Sequence, residues 1–232
     1  MLPVLSLRPL RRAAALFLPL VLALPPCALA LDDQDAPPAP GAREVLATTT
    51  ERVLAVIDEA RGYVDEDPER YYAAVHEVID PFIDYRGFAR GVMGPYATSE
   101  RYRSLDEAGQ QALREQLDRF TQTMRQGLVQ TYSRGLLAFG GSRVELDEER
   151  SEVNAGRATL WQLVHSDGED PYEVVYQMGR GRDGRWQLRN LVVENVNLGR
   201  IYRSQFQSAA RRYDGDLDKV IDNWSIEARV DG

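Results

Sequence analysis

From Arg43 onward, apolar residues recur at helical spacing as Leu46, Val53, Ile57, Ala60 and Val64, which predicts a first amphipathic helix. Asp67-Pro68 opens a second, with Asp as N-cap and Pro at the first helical position. Its stripe is Tyr71, Tyr72, Val75 and Ile79, and Pro81 disrupts or restarts it. A short helix follows around Asp84 to Met93 and stops at Gly94-Pro95. Ser104 with Glu107 reads as a capping box for the longest helix. That helix carries Leu113, Leu117, Phe120, Met124, Leu128, Tyr132 and Leu136, and ends before Gly140-Gly141.

Beyond this point the period shortens to two. Arg143 to Leu146 reads as a short strand and Ala155 to His165 as a longer one containing Trp161 and Leu163. In the next stretch Tyr172, Val174, Tyr176 and Met178 point one way, while Glu173, Val175 and Gln177 point the other. After a Gly-rich turn the alternation resumes, with Trp186, Leu188 and Val192 on one side and Gln187 and Arg189 on the other. From Asn197 the spacing becomes helical again, with Leu198, Ile201, Tyr202 and Phe206 on one stripe. A final helix starts near Asp216 and holds Leu217, Val220, Ile221 and Trp224. Helices, then a meandering antiparallel sheet, then helices again is an α+β pattern. The helices pack on one face of a curved sheet, because the other carries Glu173, Gln177, Gln187 and Arg189.

The N-terminus changes the picture of where this domain works. Arg8, Arg11 and Arg12 form a positive region, Ala13 to Leu24 an apolar one, and Ala28-Leu29-Ala30 a signal-peptidase site cleaved after Ala30. Leu31 to Gly41 is a Pro-rich acidic linker expected to be disordered, and residues 42–232 form one domain. The leader removes three arginines and the only cysteine, leaving 25 basic and 36 acidic residues, a net charge of −11. That balance argues against nucleic acid and against adhesion to an anionic membrane surface. An exported, disulfide-free domain fits the periplasm.

Catalytic motifs fare poorly. Gly179, Gly181 and Gly184 spell GxGxxG, but between two strands, whereas phosphate binding needs a strand followed by a helix N-terminus. His76 and His165 have no second His or Cys nearby, so no metal site is expected. The acidic runs Asp65-Glu66-Asp67, Asp147-Glu148-Glu149 and Glu169-Asp170 fall in expected loops or helix starts. No GxSxG elbow occurs, and Gly140-Gly141-Ser142 sits in a loop. The arginines of the hairpin turn (Arg180, Arg182, Arg185) and of the helix after it (Arg200, Arg203, Arg211, Arg212) fit a docking patch or contact with an anionic head group, but a solvated hairpin tip and helix face accounts for each singly.

The aromatic face is harder to dismiss. Tyr132, Trp161, Tyr172, Tyr176, Trp186, Tyr202 and Phe206 converge between sheet and helices in this reading. Plain core packing accounts for them. So does a cavity for an amphipathic ligand, because buried Tyr and Trp each need a hydrogen-bond partner. Pattern does not separate the two.

Three segments carry a resemblance that does: VHEVIDPFIDYRGFARGVMGPY (Val75 to Tyr96), LVQTYSRGLLAFGG (Leu128 to Gly141) and WQLRNLVVENVNLGRIYRSQF (Trp186 to Phe206). Together and in this order they resemble the MlaC family of periplasmic phospholipid-binding proteins, also called the toluene-tolerance auxiliary family. Asn195 stands where the family commonly has Gly, and Asn is the next best residue at positive φ. Asn190 and Asn197 stand where Asp and Ser are frequent. The resemblance implies an NTF2-like fold with an apolar cavity, phospholipid as cargo, and no catalysis, cofactor or metal. It implies a shuttle between an outer-membrane lipoprotein–porin complex and an inner-membrane ABC transporter with its membrane-anchored substrate-binding subunit, maintaining outer-membrane lipid asymmetry. The candidate cavity wall is Leu128, Tyr132, Trp161, Leu163, Tyr172, Val174, Tyr176, Trp186, Leu188, Val192, Leu198, Ile201, Tyr202 and Phe206. An NTF2-like periplasmic enzyme acting on a small apolar substrate, with a buried Asp or His as base, is the main alternative. A non-ligand-binding adaptor with a filled core is another.

Overall fold

Most helices begin where a side chain can satisfy one of the first free N–H groups, which otherwise lack partners. The computed structural model describes residues 39–137, 143–165 and 170–226. The expected leader with its cleavage site, the linker through residue 38, the Gly140-Gly141 stop, Ser142 and Glu169 lie outside the described residues. Helix α1 spans Ala42–Ala60. Asp67 caps α2 (Pro68–Ile79) by accepting from the Arg70 N–H, and Asp84 caps α3 (Tyr85–Met93) by accepting from the Gly87 N–H. A 3₁₀ turn, Gly94–Ala97, leads to α4 (Ser99–Ser104), which the sequence pattern did not predict. The long helix α5 runs Glu107–Leu136.

The expected capping box is corrected. Ser104 ends α4, and the Asp106 carboxylate caps α5 by accepting from the Gly109 N–H at 2.8 Å. A carboxylate at this position also complements the helix dipole, which a serine hydroxyl does only weakly.

Five antiparallel strands follow in sequence order: β1 (Arg143–Val153), β2 (Arg157–His165), β3 (Tyr172–Arg180), β4 (Trp186–Val193) and the short β5 (Val196–Asn197). Helices α6 (Leu198–Arg212) and α7 (Leu217–Asp222) complete the described fold, capped by Asn197 and Asp216. The Gly-rich string is a hairpin turn, closed by the Gly181 N–H donating to the Arg185 carbonyl, with Gly184 at φ +80°. Asn195 takes positive φ, 66°, as its place in the β4–β5 turn requires. Asn190 donates to Gln177 and Asn197 and accepts from the Gly199 N–H. These bonds tie the end of the hairpin to the start of α6.

Two strands differ from expectation. β1 is much longer than Arg143 to Leu146 and contains Asp147, Glu148 and Glu149, which the sequence reading assigned to a loop. It is an edge strand with a register shift between Asp147 and Glu152, so its charges reach solvent without breaking the pairing. β4 carries a bulge opposite Gln177 and Met178: Gln177 pairs with Asn190, but Met178 pairs with Leu188. One extra residue there reverses which side chains face which way for the rest of the strand.

Register then assigns the two faces. Ala158, Leu160, Gln162 and Val164 of β2 lie opposite Met178, Tyr176, Val174 and Tyr172 of β3. On β4 the same face continues through Leu188, Leu191 and Val193. This inner face meets α1, whose Ala42 and Leu46 cluster with Phe82, Ala158, Leu160, Met178 and Trp186. The outer face carries Trp161, Leu163, Glu173, Val175, Gln177, Asn190 and Val192.

Candidate functional site

A domain of this size normally has one contiguous core. Here the buried apolar residues fall into three separate clusters. The largest joins α3, α5, α6 and α7 around Phe88, Phe120, Met124, Tyr202 and Phe206. A second lies between the start of α1 and one end of the sheet. The third joins α1 to α2 through Ile57, Ala60, Tyr71 and Val75, with Leu136 of α5 packed against it. Half-buried apolar residues that belong to none of the three occupy the inner sheet face: Tyr172, Val174, Leu191 and Val193. Ile201, one turn into α6, has the same status. The half-buried apolar positions on this face are where a ligand seated against the sheet would make contact.

The tyrosines around this region sharpen the description. Burial alone raises the Tyr176 phenol well above its ordinary value, yet the side chain stays half-exposed. The Tyr85 hydroxyl is buried without a hydrogen-bond partner, and burial, helped by Asp80, raises its pKa. Other hydroxyls are satisfied within the protein. Tyr71 donates to the Ser133 carbonyl at 2.8 Å, and burial pushes its pKa up to about 12. Tyr132 and Tyr202 share a hydrogen bond of 2.7 Å between their hydroxyls. Gln162, 4 % exposed on the inner face, donates to the Thr50 hydroxyl of α1 at 3.1 Å. The hydroxyls of Tyr71, Tyr132 and Tyr202 lie within or against the helical cores, while the inner sheet face itself is mostly apolar and carries Gln162 and Tyr176.

The residues singled out from sequence, Ile201 apart, divide into four groups. Tyr172, Val174, Tyr176 and Leu188 stand on the inner face, with the Tyr176 ring edge-on to Phe82 at 6.4 Å. Leu128, Tyr132 and Leu198 are half-buried against the large helical cluster. Trp186, Tyr202 and Phe206 are core in the plain sense: Phe206 is fully buried, with Phe120 at 5.0 Å and Trp224 at 5.7 Å.

Trp161, Leu163 and Val192 are corrected. They sit on the outer face and cannot share a wall with Tyr176 and Trp186. In β2 both phases of the alternation are apolar, and the bulky Trp161 drew attention away from the buried phase that contains Gln162. In β4 the bulge inverts the phase after Leu188, turning Val192 out and Leu191 and Val193 in. Trp161 has a different task. The Arg150 guanidinium lies 3.7 Å over its ring and bonds Glu173 at 2.6 Å, covering the outer apolar strip of Trp161, Val175 and Val192. Leu191, Val193, Gln162 and Tyr85 were missed. Only the apolar spacing Leu188, Leu191, Val193, with its three-residue step, signalled the bulge.

Comparison with known proteins bears on what this arrangement is for. The family model for the MlaC protein matches residues 47–225. The chain belongs to the MlaC family. It is also 27 % identical over 184 residues to the toluene tolerance protein ttg2D of Pseudomonas putida, covering 79 % of this chain and 80 % of that protein. Among solved structures, the phospholipid-binding protein of Ralstonia solanacearum, determined in complex with a phospholipid, superposes with a TM-score of 0.63 at 18 % identity. The match covers 79 % of this MlaC chain and 98 % of that one, and it shows a shared fold.

Proposed function

We propose that this MlaC-family chain is a periplasmic phospholipid carrier. On this reading it moves lipid between an outer-membrane lipoprotein–porin complex and an inner-membrane ABC transporter, and so helps maintain outer-membrane lipid asymmetry. The observation that supports the reading most directly is the apolar inner strip of Val174, Leu191 and Val193, half-buried and outside the three cores. A solved relative of the same fold holds a phospholipid, which supports lipid as the occupant.

Physical chemistry favours this occupant. Transferring roughly thirty acyl methylenes out of water at ~0.8 kcal/mol each is worth on the order of 20 kcal/mol. A carrier must therefore enclose the tails while leaving the charged head in water. Apolar side chains with isolated neutral hydroxyls suit acyl chains and ester groups. Apart from tyrosines, the buried polar side chains among the described residues are Ser133, Ser151 and Gln162, and none of these is the Asp or His base that the enzyme reading calls for. Export through the Arg8 to Ala30 leader belongs to the same proposal.

Native mass spectrometry of the purified mature protein, followed by organic extraction, tests the reading. Co-purified phospholipid at about one molecule per chain is the expected result. A protein that carries none, and takes up none from liposomes, would end it.

A further inference from the structure

The groove between α3 and the start of α6 does not belong to the inner strip. It consists of two adjoining depressions, of about 520 and 310 Å³, that share Gly91 and Arg203. Arg90 lines one and Arg200 the other. All three arginines are exposed, and none makes an ion pair among the described residues. Arg203 donates only to the Gly91 carbonyl, at 2.7 Å, which holds its guanidinium along the groove floor. Other arginines nearby are neutralised: Arg86 by Asp118 and Arg189 by Asp84. Three unpaired guanidiniums on one groove contrast with a chain that is strongly acidic overall. Mutual repulsion raises the free energy of such a cluster until an anion enters it.

We propose that this groove is a docking site for an acidic segment of a partner protein. Arginine forks pair carboxylates in defined geometry, and paired charges across an interface speed and orient encounter. Two linked depressions suit an extended segment with successive carboxylates better than one small anion. The floor permits close approach: a Cβ on Gly91 would meet only the Arg203 guanidinium, at 3.9 Å, and Gly94 has φ +57°. A membrane is the less favoured partner, because the net charge of the exported chain opposes an anionic lipid surface. The biological use of the groove rests on the carrier reading, but its affinity for carboxylates does not.

The test uses the mature protein and a fluorescent decaglutamate peptide, with binding read by anisotropy at low salt. Wild type is expected to bind saturably and one to one. Arg90→Glu/Arg200→Glu, and separately Gly91→Glu, are expected to weaken binding at least about tenfold. Arg157→Glu, an exposed charge reversal outside the groove, is expected to leave it within about twofold. Equal loss in all variants, or no loss in the groove variants, overturns the proposal. So does Arg90-dependent binding to phosphatidylglycerol vesicles in place of the peptide, or full displacement of the peptide by millimolar inorganic phosphate. Phospholipid content, measured on the same variants, separates the two readings. Loss of peptide binding with lipid retained concerns the groove alone, whereas a lipid-free wild type that still binds peptide sinks only the carrier.

Discussion

The helical cluster around Phe206 and the inner face of β3 and β4 are built from the same kinds of residue and differ in whether their apolar surface is used. Phe206 is fully buried among Phe120, Tyr96 and Trp224, with ring centroids 5.0 to 5.9 Å apart. Val174 and Val193 sit opposite each other on the sheet, half-buried, and join none of the clusters. One region uses its apolar surface in packing, and the other is where the proposed ligand would sit; on that proposal stability and binding reside in different residues.

Breaking the packed side should produce the largest effect. Phe206→Ala is expected to destabilise the protein by about 3–5 kcal/mol, read from the urea midpoint. A loss below about 1 kcal/mol would erase the contrast between the regions.

Next comes the ligand side. Phospholipid bound at a hundredfold excess over Kd should add about 2.7 kcal/mol of stability, and organic extraction should remove that increment. Val174→Trp fills the strip with a residue that suits a strand. It is expected to abolish the lipid increment while changing the lipid-free midpoint by less than about 1 kcal/mol. Equal destabilisation with and without lipid would show that Val174 is ordinary core.

A smaller effect is expected at the tyrosines that close the interior. Tyr71→Phe leaves the Ser133 carbonyl without its donor and should cost about 1 kcal/mol. Tyr85→Phe removes a buried hydroxyl that has no hydrogen-bond partner among the described residues, so it should be neutral or slightly stabilising. The ordering of these two variants in urea melts is the measurement; a larger loss at Tyr85 contradicts the assignment.

The gentlest test is alkaline pH. Burial raises the phenols of Tyr71, Tyr85, Tyr132, Tyr176 and Tyr202. In the unfolded chain a phenol ionises near pH ~10. Tyr71 keeps its proton in the fold to about 12, so between these values the unfolded state binds fewer protons. Stability is fully present below the unfolded pKa and falls as pH rises through the folded one. Tyrosinate absorbance and loss of far-UV circular dichroism should rise together above pH ~10. Complete ionisation with native dichroism would contradict the burial.

Much of this contrast was legible in the sequence, and the illegible part has local causes. The Asp67 cap, helix starts near Asp84 and Asp216, the long helix and the β3–β4 hairpin all follow from short-range chemistry, and all are observed. The faces of β2 and the end of β4 do not. A strand that is apolar in both phases, as in LWQLV, has no preferred side until a neighbour covers one of them. Thr50 settles it for β2 by giving Gln162 a partner more than a hundred residues away. The bulge at Arg189 depends on Asp84, which bonds this arginine while its own N–H donates to the Leu188 carbonyl. Such long-range contacts leave no periodic trace.

That last contact leads to a property distinct from binding. β4 is bordered by β5 at Val192 and Val193, and by the segment before α3, where the Leu188 N–H donates to the Phe82 carbonyl. On that side the sheet offers few free backbone groups. On the opposite side β1 is open, and it is the strand that reads RVELDEERSEV. Part of its acidic run is paired, Glu148 with Arg43 and Asp147 with Arg150, and the acidic surplus that remains opposes a second copy approaching edge to edge. A charged open edge of this kind guards a sheet against pairing with a second one.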